Sequence, residues 1–507
     1  MNSMKLENAR QTEMENSAAI SSQDRPMFHV SPRCGWMNDP NGFSFYKGEY
    51  HLFYQYNPYH AFWETMHWGH VVSRNLIEWT YKPAAMAPDM PFDEGGCYSG
   101  CAVEMEDGRQ LLMYTGLRRP KDKDEEAEAA ASGADDLYMQ CQNLAFGNGT
   151  DYEKYEANPI IDGKDLPEGA SRVDFRDPKI VKMSDGTYFC LIAGRDADRD
   201  GQIYMFRSKD CINWKYWKIF IKNEGRFGMM WECPDFFALD GKWILLTSPM
   251  EMEPKGLEYH NGAGSLALAG DFDEKTGTFT PQYDQAIDYG IDFYAAQSLL
   301  TPDGRRVMIG WMQNWDTCLM RDKRAPWAGQ MTIPRELSFR DGRLYQAPVS
   351  ELGLYYTNSL TYKKVPVFDE VALYGIEGRT IDMEITVRPV PDAPLYRKFA
   401  VWFAMDEEKS HHTAVRFNPS DGTVKIDRKY AGSRKAVVHQ RRCLVRESMD
   451  GNIRFRILLD RYSCEVFIND GRYVMSAILY TDLSAEKIVF RTEGKALIDV
   501  VKRDIHV

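Results

Sequence analysis

The sequence is poor in cysteine and lacks any long hydrophobic run. Its 507 residues include ten scattered cysteines and no Cys-x-x-Cys pair, so neither a disulfide scaffold nor a structural zinc site is expected. No apolar run approaches the roughly 18 residues of a membrane span. Residues 1–25 also lack the apolar segment of a secretory signal. We therefore expect reduced thiols in a cytoplasmic protein with no membrane partner.

An excess of positive charge is also missing. Lys and Arg total 62 against 74 Asp and Glu, which leaves a net charge of −12. Proteins that hold nucleic acid usually present a basic face, so no nucleic-acid partner is expected, whereas a neutral substrate is compatible with this balance. Hydrophobic residues at 44% and charged residues at 27% are typical of folded globular chains. The length predicts two or three domains.

Aromatic residues, in contrast, are abundant, at 13% of the chain. This surplus suits β-rich structure and also sugar-binding clefts, and composition does not choose between them. Apolar residues alternate with polar ones in stretches such as Ile381 to Val387, which is typical of half-buried strands. Asp-Gly turns such as Asp240-Gly241 recur along the chain, while long amphipathic helical patterns are scarce. These patterns predict an all-β protein.

A domain boundary is indicated near residues 346–368. Most tryptophans precede it, and only Trp402 follows. We interpret the charged, alanine-rich residues 119–136 as a solvated insertion loop. The predicted divisions are a flexible N-terminal tail (1–25), a large β domain (26–346), a linker (347–366) and a C-terminal β-sandwich (367–507).

Three acidic motifs recur at a regular spacing. They contain Asp39, Asp177 and Glu232, and each motif alone is a weak signal. Ser99 follows Asp39 by 60 residues, and Asp177 follows Ser99 by 78, which becomes 60 without the 18-residue insertion. Glu232 follows Asp177 by 55 residues, and Asp292 follows Glu232 by 60. The repeat predicts about five equivalent β units, whose innermost strands meet at a central funnel in a propeller.

The order of these motifs resembles that of the family 32 glycoside hydrolases, which include invertase, fructan β-fructosidase and sucrose-6-phosphate hydrolase. The matching segments, in chain order, are Trp36–Gly42, Tyr54–Pro58, Trp68–His70, Tyr98–Gly100, Tyr114–Gly116, Arg176–Pro178, Glu232–Pro234, Gly310–Met312, Pro334–Leu337 and Glu465–Gly471. Only residues 1–25 and the insertion lack a counterpart. The resemblance implies a five-bladed β-propeller followed by a β-sandwich.

The resemblance also implies roles for the three carboxylates. Asp39 would be the nucleophile that attacks the anomeric C2, and Glu232 the acid/base that protonates the leaving oxygen and then activates water. Asp177 would hold sugar hydroxyls and stabilise the transition state, with Arg176 positioning the charges. No cofactor and no metal are implied. The other residues placed on the sugar are Asn38, Gln55, Trp63, Tyr98, Ser99 and Trp311.

Several functions stay open at this stage. The leading hypothesis is a retaining β-fructofuranosidase acting on sucrose and short fructo-oligosaccharides. A sucrose-6-phosphate hydrolase is the alternative, and its phosphate would need cations, for which the candidates are Arg118, Arg119, Arg321, Lys323 and Arg324. A fructan-binding protein without turnover is the alternative from another class. The sandwich could bind glycan, form a homodimer or buttress the propeller, and we expect the last.

Overall fold

A computed structural model of the chain describes residues 3–132, 137–318, 325–432 and 438–507. Five antiparallel sheets of mostly four strands occupy its first two thirds. Their strands are β1 (Gly35–Tyr46), β2 (Glu49–Asn57), β3 (His67–Ser73) and β4 (Thr80–Met86); β5 (Gly96–Glu104), β6 (Gln110–Arg118), β7 (Met139–Gly147) and β8 (Tyr152–Lys154); β9 (Phe175–Lys182), β10 (Tyr188–Arg195), β11 (Gly201–Ser208) and β12 (Lys215–Lys222); β13 (Met230–Leu239), β14 (Lys242–Met250), β15 (Leu266–Asp273) and β16 (Thr278–Ala286); and β17 (Tyr294–Leu300), β18 (Arg306–Trp311), β20 (Arg335–Arg340) and β21 (Arg343–Pro348).

The five sheets form a closed ring. The first strand of each sheet contacts the first strand of the next, from β1 through β5, β9 and β13 to β17, and β17 contacts β1 again. The short strand β19 (Trp327–Ala328) pairs with β1 in parallel. The architecture is therefore a five-bladed propeller, as predicted.

The hairpins within the blades use the turns that the sequence indicates. Asp240 and Gly241 join β13 to β14 with φ values of 47° and 80°. Two successive positive φ values define the turn whose twist matches that of the flanking strands, and glycine adopts such values without strain.

The described residues of the C-terminal domain form ten strands. They are β22 (Tyr356–Val371), β23 (Ile381–Pro389), β24 (Lys398–Met405), β25 (Thr413–Asn418), β26 (Thr423–Asp427), β27 (Gln440–Leu444), β28 (Ile453–Asp460), β29 (Ser463–Ile468), β30 (Tyr473–Ile478) and β31 (Lys487–Ile505). The long strand β31 pairs with β24 through its first half and with β23 through its second, so it joins two layers of a sandwich. Strand β22 pairs along both halves of β31 and begins at Tyr356, inside the segment predicted as a linker.

The structure corrects the prediction of a flexible N-terminal tail. Residues Met4–Ser17 form helix α1, with Ser3 as its N-cap. Leu6 and Ala9 are buried, and Arg10 donates a hydrogen bond to the Ala84 carbonyl oxygen of β4. The helix has almost no amphipathic pattern of its own, so its order comes from packing against the first blade.

The insertion is also more regular than a loop. Lys123–Ala131 form helix α2, which is capped by Asp122. Buried Arg118 donates to both carboxylate oxygens of Glu125, at 2.7 and 2.8 Å, and also contacts Asp162. This anchored segment, residues 119–132, is called the arm below. No helix in the described parts of the chain is both long enough and apolar enough to span a bilayer.

Buried charges connect the propeller to the sandwich. His29 contacts Asp460 at 2.7 Å and Glu465 at 2.8 Å. Fully buried Arg335 pairs with the same Glu465 and, at 3.1 Å, with Asp288. Because each of these ions has lost its hydration, the partners hold the two domains in one arrangement.

Candidate active site

The same irregularity occurs in the first strand of every blade, next to the central funnel. In each blade the pairing register shifts so that two residues of the first strand face one residue of the second. The two bulged residues of each first strand are 38–39, 98–99, 177–178, 233–234 and 295–296. Such bulges re-aim side chains and are common beside active sites. They are the structural basis of the repeat seen in the sequence.

The fifth repeat unit differs from the prediction. Its bulge follows Tyr294, whereas the repeat had pointed to Asp292. The Asp292 side chain is fully buried and pairs with Arg428 of the sandwich. Asp292 therefore belongs to the domain interface, and Tyr294 is the residue of this blade that reaches the site.

Asp39 lies in a dense set of hydrogen-bond donors. Ser99 Oγ donates to its Oδ2 at 2.8 Å, and Asn38 Nδ2 donates to its Oδ1 at 3.0 Å. Asn38 is itself held by the Trp36 indole N–H at 2.8 Å. Burial and the negative charge of Glu232 raise the pKa of Asp39 to about 6, against the lowering effect of these donors. Above that pH the carboxylate is ionised, as a nucleophile requires.

Cys233 lies between Asp177 and Asp39 and contacts both carboxylates. The Cys233 N–H donates to Asp177 Oδ2 at 2.9 Å, and its Sγ lies 3.5 Å from Asp39 Oδ2 and 3.6 Å from Asp177 Oδ2. Both Asp177 and Cys233 adopt positive φ, at 63° and 51°, within their bulges. Burial and the nearby charge of Glu232 raise the pKa of Asp177 despite the adjacent Arg176.

Glu232 is held by two donors of different kinds. Arg176 Nε donates to its Oε1 at 2.8 Å, and the buried Tyr294 hydroxyl donates to its Oε2 at 2.6 Å. Arg176 Nη1 also donates a hydrogen bond to Asp174 Oδ1, at 3.0 Å. Both oxygens of Glu232 are thus fixed in position. The glutamate has a cation and a phenol as neighbours, whereas Asp39 has an amide, a hydroxyl and a thiol.

A cavity of about 440 Å³ contains these groups. Nine of the ten residues that the sequence analysis assigned to the site line it, namely Asn38, Asp39, Gln55, Trp63, Tyr98, Ser99, Arg176, Asp177 and Glu232. Trp63 is the most open of them, with 45% of its surface exposed. Polar groups beside aromatic rings suit a hydroxyl-rich ligand.

The tenth residue, Trp311, does not line the cavity. It is fully buried and lies behind Trp36 and Trp315, with ring centroids 5.9 and 5.1 Å away. Trp315 takes its place in the wall and meets Trp63 edge to face at 6.3 Å. The Gly310–Met312 motif therefore supports the wall from behind.

The sequence reasoning missed several wall residues. They are Ser132, Gln140, Val173, Asp174, Arg195, Arg199, Met250 and Trp315. Tyr294 was also missed, although it adjoins the segment at Asp292 that the repeat had marked. In the described parts of the chain, no group of three or more His, Cys, Asp or Glu side chains is arranged to hold a metal ion.

Comparison with known proteins agrees with this geometry. The model of the glycosyl hydrolases family 32 N-terminal domain matches residues 29–348, and that of the family's C-terminal domain matches residues 353–506. A raffinose invertase of Escherichia coli is 33% identical over 484 residues, covering 93% of each chain. A sucrose-6-phosphate hydrolase of Zymomonas mobilis is 31% identical over 504 residues, covering 96% of this chain and 92% of the relative.

A solved structure is similar over the whole length. A variant of the Bombyx mori GH32 β-fructofuranosidase in complex with sucrose aligns with a TM-score of 0.82 and 32% identity. The alignment covers 100% of this chain and 99% of the other. The likeness therefore includes both domains.

Proposed function

The chain belongs to glycosyl hydrolase family 32, and from this membership and the geometry of the cavity we propose that it is a retaining β-fructofuranosidase. It releases the terminal β-fructosyl unit of sucrose and short fructo-oligosaccharides. The observation that carries the proposal is the pair Asp39 and Glu232, which share one cavity but have different hydrogen-bond partners. A double displacement requires two carboxyl groups in these two roles.

In the first step Asp39 attacks the anomeric C2 of the fructosyl unit. The bond from C2 to the leaving oxygen breaks, and Glu232 supplies the proton that this oxygen takes up. A fructosyl ester on Asp39 and a free alcohol result. Ser99 and Asn38 hold the attacking carboxylate in place before the reaction.

In the second step Glu232, now ionised, removes a proton from water, and the water oxygen attacks C2. The ester bond breaks, fructose leaves with the β configuration, and both carboxyl groups return to their first state. Arg176 and Tyr294 donate to the ionised Glu232 between the steps. Asp177, which the Cys233 N–H orients, accepts hydrogen bonds from sugar hydroxyls and offsets the positive charge of the oxocarbenium-like transition state.

Asp39→Asn tests the assignment. The amide occupies the same space but cannot form the ester, so we expect kcat on sucrose to fall roughly 10⁴-fold. Asp107→Asn makes the same change at an exposed carboxylate and is the control, since Asp107 lines no part of the cavity. Full turnover by Asp39→Asn would contradict the mechanism, and so would a first product with the α configuration by NMR.

Sucrose 6-phosphate is the second candidate substrate, and an exposed arginine favours it. Arg199 is exposed and lines the cavity, where its positive charge contributes to lowering the pKa of Asp174. The cations expected from the sequence are placed differently. Arg118 forms buried ion pairs with Glu125 and Asp162. The Arg119 guanidinium lies over the ring of Tyr138. Arg321, Lys323 and Arg324 lie outside the described residues.

Comparing kcat/KM on sucrose and on its 6-phosphate decides between the two substrates. If the phosphate is recognised, Arg199→Ala lowers kcat/KM on the phosphorylated sugar by about tenfold and leaves that on sucrose nearly unchanged. Asp174 lies on the same wall and repels a phosphate, which is why we place sucrose first. The non-catalytic alternative predicts fructan binding without release of fructose in the same assay.

We further propose that the enzyme works in the cytoplasm. All ten cysteines are buried and none forms a disulfide, which suits a reducing compartment. The homodimer stays a prediction, and sedimentation of the purified chain tests it.

A further inference from the structure

A second cavity, of about 600 Å³, opens beside the catalytic one. The two share five wall residues, which are Ser132, Val173, Asp174, Arg195 and Arg199. Its other walls are the end of helix α2, residues 163–172 and the turn between β10 and β11. We call this space the arm chamber, because the arm closes one side of it. Its volume lies within the range of small-molecule sites.

The arm chamber lies on the side of the acid/base. Arg176 connects Glu232 to Asp174, with contacts of 2.8 and 3.0 Å, and Asp174 lines both cavities. Asp39 and its donors Asn38 and Ser99 line the catalytic cavity alone. Glu232 protonates the leaving oxygen, so the leaving group extends from the fructosyl site toward Glu232. The arm chamber therefore lies on the leaving-group side.

A buried arginine lies at the junction of the two cavities and has only long contacts with carboxylates. Arg195 is 6% exposed and lines both cavities, and its Nε has no hydrogen-bond partner among the described residues. The nearest carboxylate oxygens, of Asp174 and Glu251, lie 3.7 and 4.0 Å from the guanidinium. Because Arg195 lines both cavities and its carboxylate contacts are long, its guanidinium can donate to a ligand hydroxyl at the junction.

The turn next to it holds a second arginine at the mouth. The Asp196 carboxylate accepts hydrogen bonds from the N–H groups of Asp198 and Asp200, each at 3.0 Å. Arg199 between them adopts φ 65°, so the turn has a defined shape that presents this side chain to both cavities.

The mixture of charges favours a neutral sugar over an anion. Arg172, Arg195 and Arg199 are donors, whereas the four carboxylates in the same walls, Glu128, Glu168, Asp174 and Asp196, are acceptors. A sugar hydroxyl both donates and accepts, so it can use both sets. A phosphate deep in the arm chamber would face four carboxylates.

We propose that the arm chamber is a second leaving-group subsite, which binds the hexose one position beyond the two sugars joined by the cleaved bond. The inference rests on the proposed function. In a trisaccharide with a terminal fructosyl unit, this subsite would bind the far sugar of the disaccharide leaving group. The insertion is then the element that determines specificity for the longer leaving group.

The experiment compares two substrates that share the cleaved bond. Raffinose is sucrose with one further hexose on its glucosyl unit, so the ratio of kcat/KM on the two sugars isolates the added subsite. Ala131→Trp fills the arm chamber from the exposed end of α2 without entering the catalytic cavity. We expect it to lower kcat/KM on raffinose about tenfold and to leave that on sucrose unchanged.

Two further variants make the result decisive. Ala130→Trp adds the same side chain to the same helix at an exposed residue that lines neither cavity, and it should leave the ratio unchanged. Ala197→Trp fills the arm chamber from the opposite wall, and it replaces Ala131→Trp if that variant does not fold.

An unchanged ratio in Ala131→Trp or its replacement overturns the subsite. So does a wild-type enzyme that cleaves sucrose but not raffinose, or a loss confined to sucrose 6-phosphate. Failure of the wild-type enzyme to cleave sucrose and its 6-phosphate would instead remove the proposed function itself.

Discussion

At the scale of single residues, the chemistry depends on what each carboxyl group contacts. Asp39 and Asp177 are the more deeply buried carboxyl groups, and both accept hydrogen bonds from nearby donors. Glu232 accepts one hydrogen bond from the Arg176 guanidinium and one from the Tyr294 hydroxyl. Burial and the negative charge of Glu232 raise the pKa of Asp39 and of Asp177. The donors therefore do more than fill space, because they keep a charged nucleophile in a dry site.

Tyr294 is the residue whose role the structure adds to the site. Its hydroxyl donates to Glu232 at 2.6 Å, and a hydrogen bond to a charged group contributes about 1.5–3 kcal/mol. We expect Tyr294→Phe to lower kcat on sucrose roughly 10- to 100-fold, with a smaller change in KM, because the ring stays and only the orientation of Glu232 is lost.

Tyr289→Phe is the matched control. Tyr289 is equally buried and donates to the Glu258 carboxylate at 2.6 Å, but it lines no part of the catalytic cavity. Both variants should unfold at lower temperature, and only Tyr294→Phe should lose turnover. Equal kcat values for the two would contradict a positioning role for Tyr294.

At the scale of elements, the bulged first strands and the arm shape the site. The five bulges place one or two side chains per blade at the funnel, and so residues distant in sequence converge. The arm is held differently, by a buried ion pair at its base. Helix α2 has nine residues and almost no amphipathic pattern, so it depends on that anchor.

Glu125→Ala tests the anchor. The change removes both hydrogen bonds from Arg118 and one from the Lys121 N–H. We expect trypsin to cleave near Lys121 and Lys123 several times faster than in the wild type, while the unfolding temperature of the propeller changes little. Glu126→Ala, on the exposed face of the same helix, should leave the cleavage rate unchanged. Equal rates in the two variants would show that the arm is held elsewhere.

At the scale of the whole molecule, a buried histidine ties the two domains together. Burial by itself lowers the pKa of His29, but the hydrogen bonds and charges of Asp460 and Glu465 raise it to about 9. The folded value exceeds the unfolded value, so the charged histidine stabilises the fold fully below about pH 6.5, and this contribution is lost as the pH rises through about 9.

His29→Gln removes this contribution. We expect the unfolding temperature of the variant to lie well below that of the wild type at pH 6, and the difference to shrink toward pH 9.5. The shift in pKa corresponds to about 3 kcal/mol at the lower pH. His67→Gln is the contrast, because burial lowers the pKa of His67 to about 4, so its effect should not change between pH 6.5 and 9. A constant difference for His29→Gln would contradict the assignment.

The sequence by itself determined the β architecture, the repeat and the three carboxyl groups. Alternation and Asp-Gly turns are local signals, and the motif order resembles that of one family, so they can be read without coordinates. The sequence did not predict that the first 25 residues and the arm contain ordered helices. Neither helix has an amphipathic pattern of its own: α1 depends on packing against the first blade, and α2 on the ion pair between Arg118 and Glu125.

Only the tertiary structure decided which side chains reach the funnel. A bulge changes the side of the strand on which a residue lies, and the sequence does not mark that change, so the repeat pointed to Asp292 where Tyr294 contacts Glu232. Trp311 was expected at the site, but packing places it behind the wall that Trp315 lines. The arm chamber depends on the approach of α2, residues 163–172 and one turn of the next blade. Cysteine scarcity and missing apolar runs excluded classes of protein, but the packing of five blades decided where the chemistry lies.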